Sequence, residues 1–80
     1  MVSRKVNLLD VVALVVDLPG RQLWRGQVGT VTDFLAPGVF EVEFADRSGT
    51  PYATVPLRAS QFLVLHYDPV VDYQFNRPHA

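Results

Sequence analysis

The chain has 80 residues, of which 49% are hydrophobic, seven are basic, eight are acidic and none is cysteine. This length allows a single domain, and the lack of cysteine excludes disulfide bonds and thiolate metal sites. A net charge of −1 disfavours a nucleic-acid-binding module, which usually carries a basic excess. The high apolar content predicts either a dense core or an apolar surface kept for a partner or a second copy.

The N-terminal part of the chain predicts a lead-in, a turn, a strand and a loop. Residues 1–7 are polar and lack a signal-peptide pattern, and residues 8–10 predict a turn whose two leucines close one end of the core. Residues 11–16 (VVALVV) are an almost uninterrupted apolar run, typical of a strand covered on both faces. Residues 17–25 predict a loop in which residues 19–20 (PG) occupy the centre of a type II turn.

Two further strands are predicted on either side of a Pro37-Gly38 turn. Residues 27–35 predict the second strand, and their apolar groups fall on both faces, which we interpret as a bulge near Gly29. Residues 40–44 (FEVEF) predict the third strand, with the two phenylalanines and the valine pointing inward and the glutamates facing water.

The next hairpin and the fourth strand are marked by aspartate, glycine and proline. Residues 46–49 (DRSG) predict a four-residue connection in which the aspartate caps the turn and Gly49 adopts the left-handed conformation. Residues 52–55 predict a short edge strand, because the prolines at positions 51 and 56 cannot donate to a ladder.

The end of the chain completes the predicted fold. Residues 57–60 suit one 3₁₀ turn, and residues 62–65 predict a fifth strand. Five short strands, a long first loop and a 3₁₀ turn before the last strand predict an all-β fold, a small five-stranded SH3-like barrel. The predicted organisation is a lead-in at residues 1–7, the barrel at residues 8–66 and an aromatic-containing tail at residues 67–80.

Several motifs in this order also resemble a known family. They are 9–14 (LDVVAL), 17–19 (DLP), 25–31 (RGQVGTV), 40–44 (FEVEF) and 57–59 (LRA). Over about residues 8–65 the chain resembles the small bacterial proteins of the domain of unknown function 4926 family. The resemblance implies an SH3-like or KOW-like barrel, carries over no catalytic residue, and suggests a two-gene, toxin–antitoxin-like context. The tail after His66 lies beyond it.

The candidate partner-binding surface combines the first loop with the tail. Trp24, flanked by arginines, is either a stacking platform and hot spot for a partner or a cap on the open end of the barrel, and we favour the cap. The tail either folds back across the barrel or adds a strand to a neighbouring chain. The predicted contact residues are Leu18, Arg21, Leu23, Trp24, Arg25, Tyr67, Tyr73 and Phe75.

No pattern in the chain predicts catalysis, a metal site or a cofactor. The glycines of residues 25–29 resemble a phosphate-contacting loop of KOW-type barrels, but a conformational role is favoured: a bend at Gly26, and a bulge or close strand approach at Gly29. The glutamates at 41 and 43 alternate with core residues and predict a solvated strand face. Acidic, histidine and serine side chains in residues 60–79 match neither a metal-ligand spacing nor a nucleophile elbow.

We therefore predict that the chain is a non-enzymatic protein-interaction module. More specifically, it would act as an antitoxin- or immunity-like partner of another small protein. The partner is a second protein or another copy of the chain. The alternatives are a KOW-like nucleic-acid binder and an accessory or scaffold subunit of a larger complex. The arginines that would serve nucleic-acid binding are Arg21, Arg25, Arg47 and Arg58. No apolar stretch approaches the roughly 18 residues of a membrane span, so we expect a cytoplasmic chain without a membrane partner.

Overall fold

The computed structural model describes residues 5–66, which form five strands and two short 3₁₀ helices. The strands are β1 (Val11–Leu14), β2 (Val28–Ala36), β3 (Val39–Ala45), β4 (Pro51–Arg58) and β5 (Phe62–Leu65). The 3₁₀ helices span Pro19–Arg21, in the loop between β1 and β2, and Ala59–Gln61, directly before β5. The predictions of an all-β fold, five strands and a 3₁₀ turn before the last strand are confirmed.

The five strands form one sheet in the order β4-β3-β2-β1-β5, and all neighbouring strands are antiparallel. The last strand therefore pairs with the first, with Val11 opposite Leu65 and Leu14 opposite Phe62. β4 and β5 are the two edges of this open sheet. Closure into a barrel accordingly remains a prediction.

The core lies on one face of the sheet, because successive side chains of a strand point to opposite faces. Two cross-strand rows contribute five of the nine buried apolar residues: Val31, Val42 and Val55 form one row, and Val12 and Phe44, on either side of Gly29, belong to the other. The fully or nearly fully buried apolar residues are Val12, Leu14, Leu23, Val31, Val42, Phe44, Val55, Leu57 and Phe62. The predicted inward orientation of the third strand is confirmed.

An aromatic row extends this core towards the hairpin between β2 and β3. Phe40 packs edge-to-face on Phe62, with ring centroids 5.7 Å apart, and on Phe34, at 5.6 Å. Edge-to-face pairs at this spacing are stabilising beyond the apolar area that they bury. Phe34 at the outer end of the row is half exposed.

Gly29 is a site of close strand approach, and the predicted bulge at this position is wrong. Gly29 pairs in register with Val12 and Phe44, while the register of β2 against β3 shifts further along, after Val31 and after Phe34. A Cβ atom on Gly29 would lie 2.8 Å from Val42 Cγ1 and 2.9 Å from the carbonyl oxygen of Glu43. Only glycine fits here without displacing a neighbour.

Two local predictions in the first part of the chain are wrong. Residues Pro19–Arg21 form a 3₁₀ helix instead of a type II turn, and the left-handed residue is Gln22, with φ of 57°. The leucines at positions 8 and 9 form the predicted turn but do not close the core, since Leu9 is 74% exposed. The turn is held by the amide of Asn7, which donates to Asp10 Oδ2 at 2.8 Å.

β4 is an edge strand, as predicted, but it is longer than predicted. It includes both prolines, and Pro56 lies opposite Glu41 of β3. An edge strand needs ladder hydrogen bonds on one side only, so prolines are tolerated within it. We infer that the prolines discourage pairing of this edge with another chain.

β1 is covered on one face only within residues 5–66, whereas its apolar run predicts cover on both faces. Val12 and Leu14 are buried, but Val11 is exposed and Ala13 is half-buried. The strand ends at Leu14, and one further bond in the same register, from the amide of Val15 to the carbonyl of Gln61, precedes the loop.

The turn between β3 and β4 has the predicted cap and left-handed glycine. Asp46 Oδ1 accepts hydrogen bonds from Ser48 Oγ at 2.7 Å, the Ser48 amide at 2.9 Å and the Thr50 amide at 3.0 Å. Gly49 has φ of 87°. The bond from the Ser48 hydroxyl, followed by that from the Thr50 amide, holds the pKa of Asp46 below its usual value of 3.8.

This carboxylate gives a prediction for the pH dependence of stability. A folded-state pKa below the unfolded value contributes stability above the unfolded pKa, and the contribution is lost as pH falls through the folded value. Asp46→Asn is therefore expected to destabilise the chain at pH 6 and to have a smaller effect at pH 3. Urea unfolding of both proteins at the two pH values measures this, and an effect equal at both would contradict it.

Candidate partner-binding surface

The loop between β1 and β2 doubles back on itself and is held by backbone hydrogen bonds. Leu18 and Leu23 lie opposite each other as an isolated antiparallel bridge. The amide of Leu18 donates to the carbonyl of Leu23 at 2.8 Å, and the amide of Leu23 donates back at 3.2 Å. The helix Pro19–Arg21 forms the tip between them. Backbone pairing across the loop fixes where its side chains point.

Leu23 anchors this loop to the domain. Its side chain is 0% exposed and belongs to the core, while Leu18 is partly buried and packs against the same core. Leu23 is therefore not available to a partner, and its inclusion among the predicted contact residues is wrong. Its role is to fix the loop on the sheet.

Trp24 follows the buried Leu23 and projects outward, with 51% of its surface exposed. Its backbone is held on both sides: its amide donates to Gln27 Oε1, and its carbonyl accepts from the Gln27 amide at 3.0 Å. The neighbouring amide of Arg25 donates to Asp17 Oδ1 at 2.8 Å. These bonds place a large aromatic side chain at the surface on an ordered backbone, so half of it is accessible to a partner.

Tyr52 is a second exposed aromatic residue that is connected to this loop. The Nε2 atom of Gln27 donates to the Tyr52 hydroxyl at 2.8 Å, so Gln27 bonds to both aromatic residues. The Tyr52 ring lies 6.5 Å from the ring of Phe44, and 51% of the residue is exposed. The loop and the start of β4 thus form one surface around Trp24, Gln27 and Tyr52, which we call the aromatic surface.

A bulge explains why Tyr52 takes part in this surface. β3 pairs Phe44 with Ala53 and Ala45 with Pro51, so Tyr52 is the extra residue between two paired positions. A bulge bends its strand and re-aims the side chain of the extra residue. Tyr52 is not among the contact residues predicted from the sequence, although an aromatic residue directly after a proline at the start of an edge strand is a signal for it.

The remaining predicted contact residues fall into two groups. Arg21 and Arg25 are exposed on the first loop. Tyr67, Tyr73 and Phe75 lie outside the described residues. The other arginines proposed for nucleic-acid binding are also exposed but belong to other elements, Arg47 to the β3–β4 turn and Arg58 to the end of β4.

The acidic side chains of β3 are part of the outer sheet face. Glu41 Oε1 accepts a hydrogen bond from Thr32 Oγ1 at 2.9 Å, and both Glu41 and Glu43 are half-buried. In the part of the chain that the structure describes, no three histidine, cysteine, aspartate or glutamate residues are grouped as a metal site would require. Of the acidic and histidine side chains in residues 60–79, Asp68, Asp72 and His79 lie outside that part.

The helices among residues 5–66 are too short and too polar to cross a membrane.

Comparison with known proteins identifies one family. The family model described as domain of unknown function (DUF4926) matches residues 8–64, which is more than half of the 80-residue chain. The match begins before β1 and ends within β5, so it includes both the first loop and Tyr52. No curated protein and no solved structure gives a significant match.

Proposed function

The chain belongs to the DUF4926 family, and we propose that it is a non-catalytic protein-interaction module that binds its partner through the aromatic surface. The single observation that carries this proposal is the pair of half-exposed aromatic residues, Trp24 and Tyr52, held together through Gln27. The partner is a protein, and Arg21 and Arg25, which are exposed on the same loop as Trp24, supply polar and charged contacts at the rim.

The physical properties of these residues support protein binding. Tryptophan, tyrosine and arginine are the residue types that carry most of the binding energy at protein interfaces. Binding also costs less conformational entropy when the contact residues are ordered beforehand. The buried Leu23, the Leu18–Leu23 bridge and the two Gln27 side-chain bonds provide such order in the unbound chain.

We also propose an SH3-like arrangement for the fold and an antitoxin- or immunity-like role for the function. The SH3-like proposal is supported by the antiparallel pairing of β1 with β5, the long first loop and the 3₁₀ helix before the last strand. The antitoxin-like role rests on the family resemblance, and it requires that the partner be a small protein whose functional surface the chain covers.

Copurification of the tagged full chain from its host separates the proposed function from its alternatives. A stoichiometric protein partner is expected with the wild-type chain and is expected to be lost with Trp24→Ala or Tyr52→Ala. Phe34→Ala is the matched control, because Phe34 is an equally exposed aromatic residue on a different hairpin. Thermal unfolding of each variant confirms that the lost binding does not result from unfolding.

Other outcomes of the same experiment contradict the proposal. Recovery of nucleic acid instead of protein, with affinity that falls steeply with salt, would favour the KOW-like alternative. Recovery of only the chain itself as an oligomer would favour a scaffold role. Equal retention of a partner by Trp24→Ala and by the wild type would place the binding surface elsewhere.

A further inference from the structure

The outer face of the sheet carries an apolar patch on its β2-β1-β5 side. The strand register makes it a compact grid, because Ala13 lies between Val28 and Leu63, and Val11 lies between Thr30 and Leu65. Neighbouring strands are about 4.8 Å apart, so the grid is about 10 Å across three strands. We call its apolar members the outer patch: Val11, Ala13, Val28, Leu63 and Leu65.

The outer patch is confined to one side of the sheet. On the β3-β4 side, the same face carries Glu43 opposite Thr30 and Thr54, and Glu41 opposite Pro56. The four larger patch residues are each between 40% and 56% exposed within the structure described. On this face the outer patch therefore ends at the boundary between β2 and β3, where Glu41 and Glu43 lie. An apolar patch with a polar border is typical of a surface that binds another segment or protein.

The sequence around β1 indicates that this cover is part of the normal folded state. An uninterrupted run such as residues 11–16 is typical of a strand buried on both faces, yet one face of β1 is bare within residues 5–66. Only His66 separates Leu65, a member of the patch, from the 14 remaining residues, 67–80. These residues are the nearest source of apolar cover.

The C-terminal sequence has the pattern required for such a cover. Residues 71–75 (VDYQF) alternate strictly between apolar and polar, so an extended conformation would place Val71, Tyr73 and Phe75 on one side. Five extended residues span about 13 Å, which is enough to cross the roughly 10 Å of the three strands. Residues 66–70, which include Pro69, are long enough to reverse the chain between Leu65 and this segment.

Tethering favours the chain's own segment over a second copy. A short link to the patch gives an effective concentration on the order of millimolar, which exceeds ordinary protein concentrations. In addition, the accessible surface area of five partly exposed side chains is far smaller than the roughly 800 Å² that each partner buries in a stable dimer. Docking of the segment within one chain therefore requires less buried surface area than association of two chains.

We propose that residues 67–80 fold back over the outer patch, with Val71, Tyr73 and Phe75 packed on Val11, Val28, Leu63 and Leu65. The segment thereby completes the burial of β1. This assignment goes beyond the proposed function, since it removes Tyr73 and Phe75 from the partner-binding residues and leaves the aromatic surface as the binding site.

Methyl NMR of the full chain tests the proposal. Nuclear Overhauser contacts are expected between the aromatic rings of Tyr73 and Phe75 and the methyl groups of the outer patch. The variant Tyr73→Ser/Phe75→Ser is expected to remove these contacts and to shift the patch methyl signals, while those of the buried Val42 and Val55 stay in place. Gln74→Ser, on the other side of the segment, is the matched control and is expected to leave the patch signals unchanged.

The result that would overturn the proposal is equally specific. A sample that mixes isotope-labelled and unlabelled chains shows contacts between two chains separately from contacts within one. Contacts seen only between chains would assign the patch to a second copy. The absence of contacts, together with patch methyl signals that do not respond to the double variant, would exclude docking of this segment altogether.

Discussion

Leu23→Ala is expected to lower the free energy of unfolding by about 2–5 kcal/mol, the usual cost of truncating a fully buried leucine. Leu23 is wholly buried and fixes the first loop on the core. Because a domain of this size is typically stable by only about 4–12 kcal/mol, the loss is a large fraction of the total. Urea unfolding followed by tryptophan fluorescence measures it, since the single Trp24 is adjacent to the mutated position.

The matched control for this variant is Leu9→Ala, which removes the same atoms from an exposed side chain. Its effect on the free energy of unfolding is expected to stay within about 0.5 kcal/mol. Equal effects of the two substitutions would mean that Leu23 does not anchor the loop, and the account of the aromatic surface would lose its structural basis.

Gly29→Ala is expected to lower the free energy of unfolding by about 1–3 kcal/mol, as overpacking of a well-packed site does. The new methyl group would meet Val42 Cγ1 at 2.8 Å, which a side chain can relieve by moving, and the Glu43 carbonyl oxygen at 2.9 Å, which belongs to the backbone. Relief of the second contact requires β2 and β3 to separate. Urea unfolding of the variant and the wild type gives the difference.

Gly20→Ala is the control for this prediction. A Cβ atom at Gly20 meets nothing within 4 Å, and φ of this residue is not in the left-handed region. The substitution is expected to be neutral or to stabilise by up to about 1 kcal/mol, because alanine reduces the entropy of the unfolded chain. A Gly29→Ala protein as stable as Gly20→Ala would contradict the close approach of β2 to β3.

The strands could be predicted because local pattern determines them. Alternation in residues 40–44 identified the buried face of β3, and the run 62–65 coincides with β5. The predicted bulge at Gly29 was wrong because a glycine in a strand permits either a bulge or a close approach, and only the register decides between them. β4 is longer than its sequence predicts because prolines usually mark the ends of a strand, whereas an edge strand tolerates them.

The candidate site was predicted only in part, since its composition depends on tertiary contacts. The loop and Trp24 were identified from the sequence, but Leu23 and Trp24 are adjacent and apolar, and the sequence does not indicate which one points inward. Tyr52 is hydrogen-bonded to Gln27, which is 25 positions away in the sequence, so the local sequence pattern does not predict that contact. The bulge that positions Tyr52 is likewise a property of pairing between strands.

The most direct test of the central claim is the dissociation constant of the full chain for the protein that copurifies with it. Trp24→Ala is expected to raise this constant by about 30-fold or more, the effect of losing a hot-spot residue. Phe34→Ala, which removes an equally exposed aromatic side chain from the β2–β3 hairpin, is expected to change it by less than about 3-fold. An unchanged dissociation constant in a folded Trp24→Ala protein would contradict the assignment of the aromatic surface as the binding site.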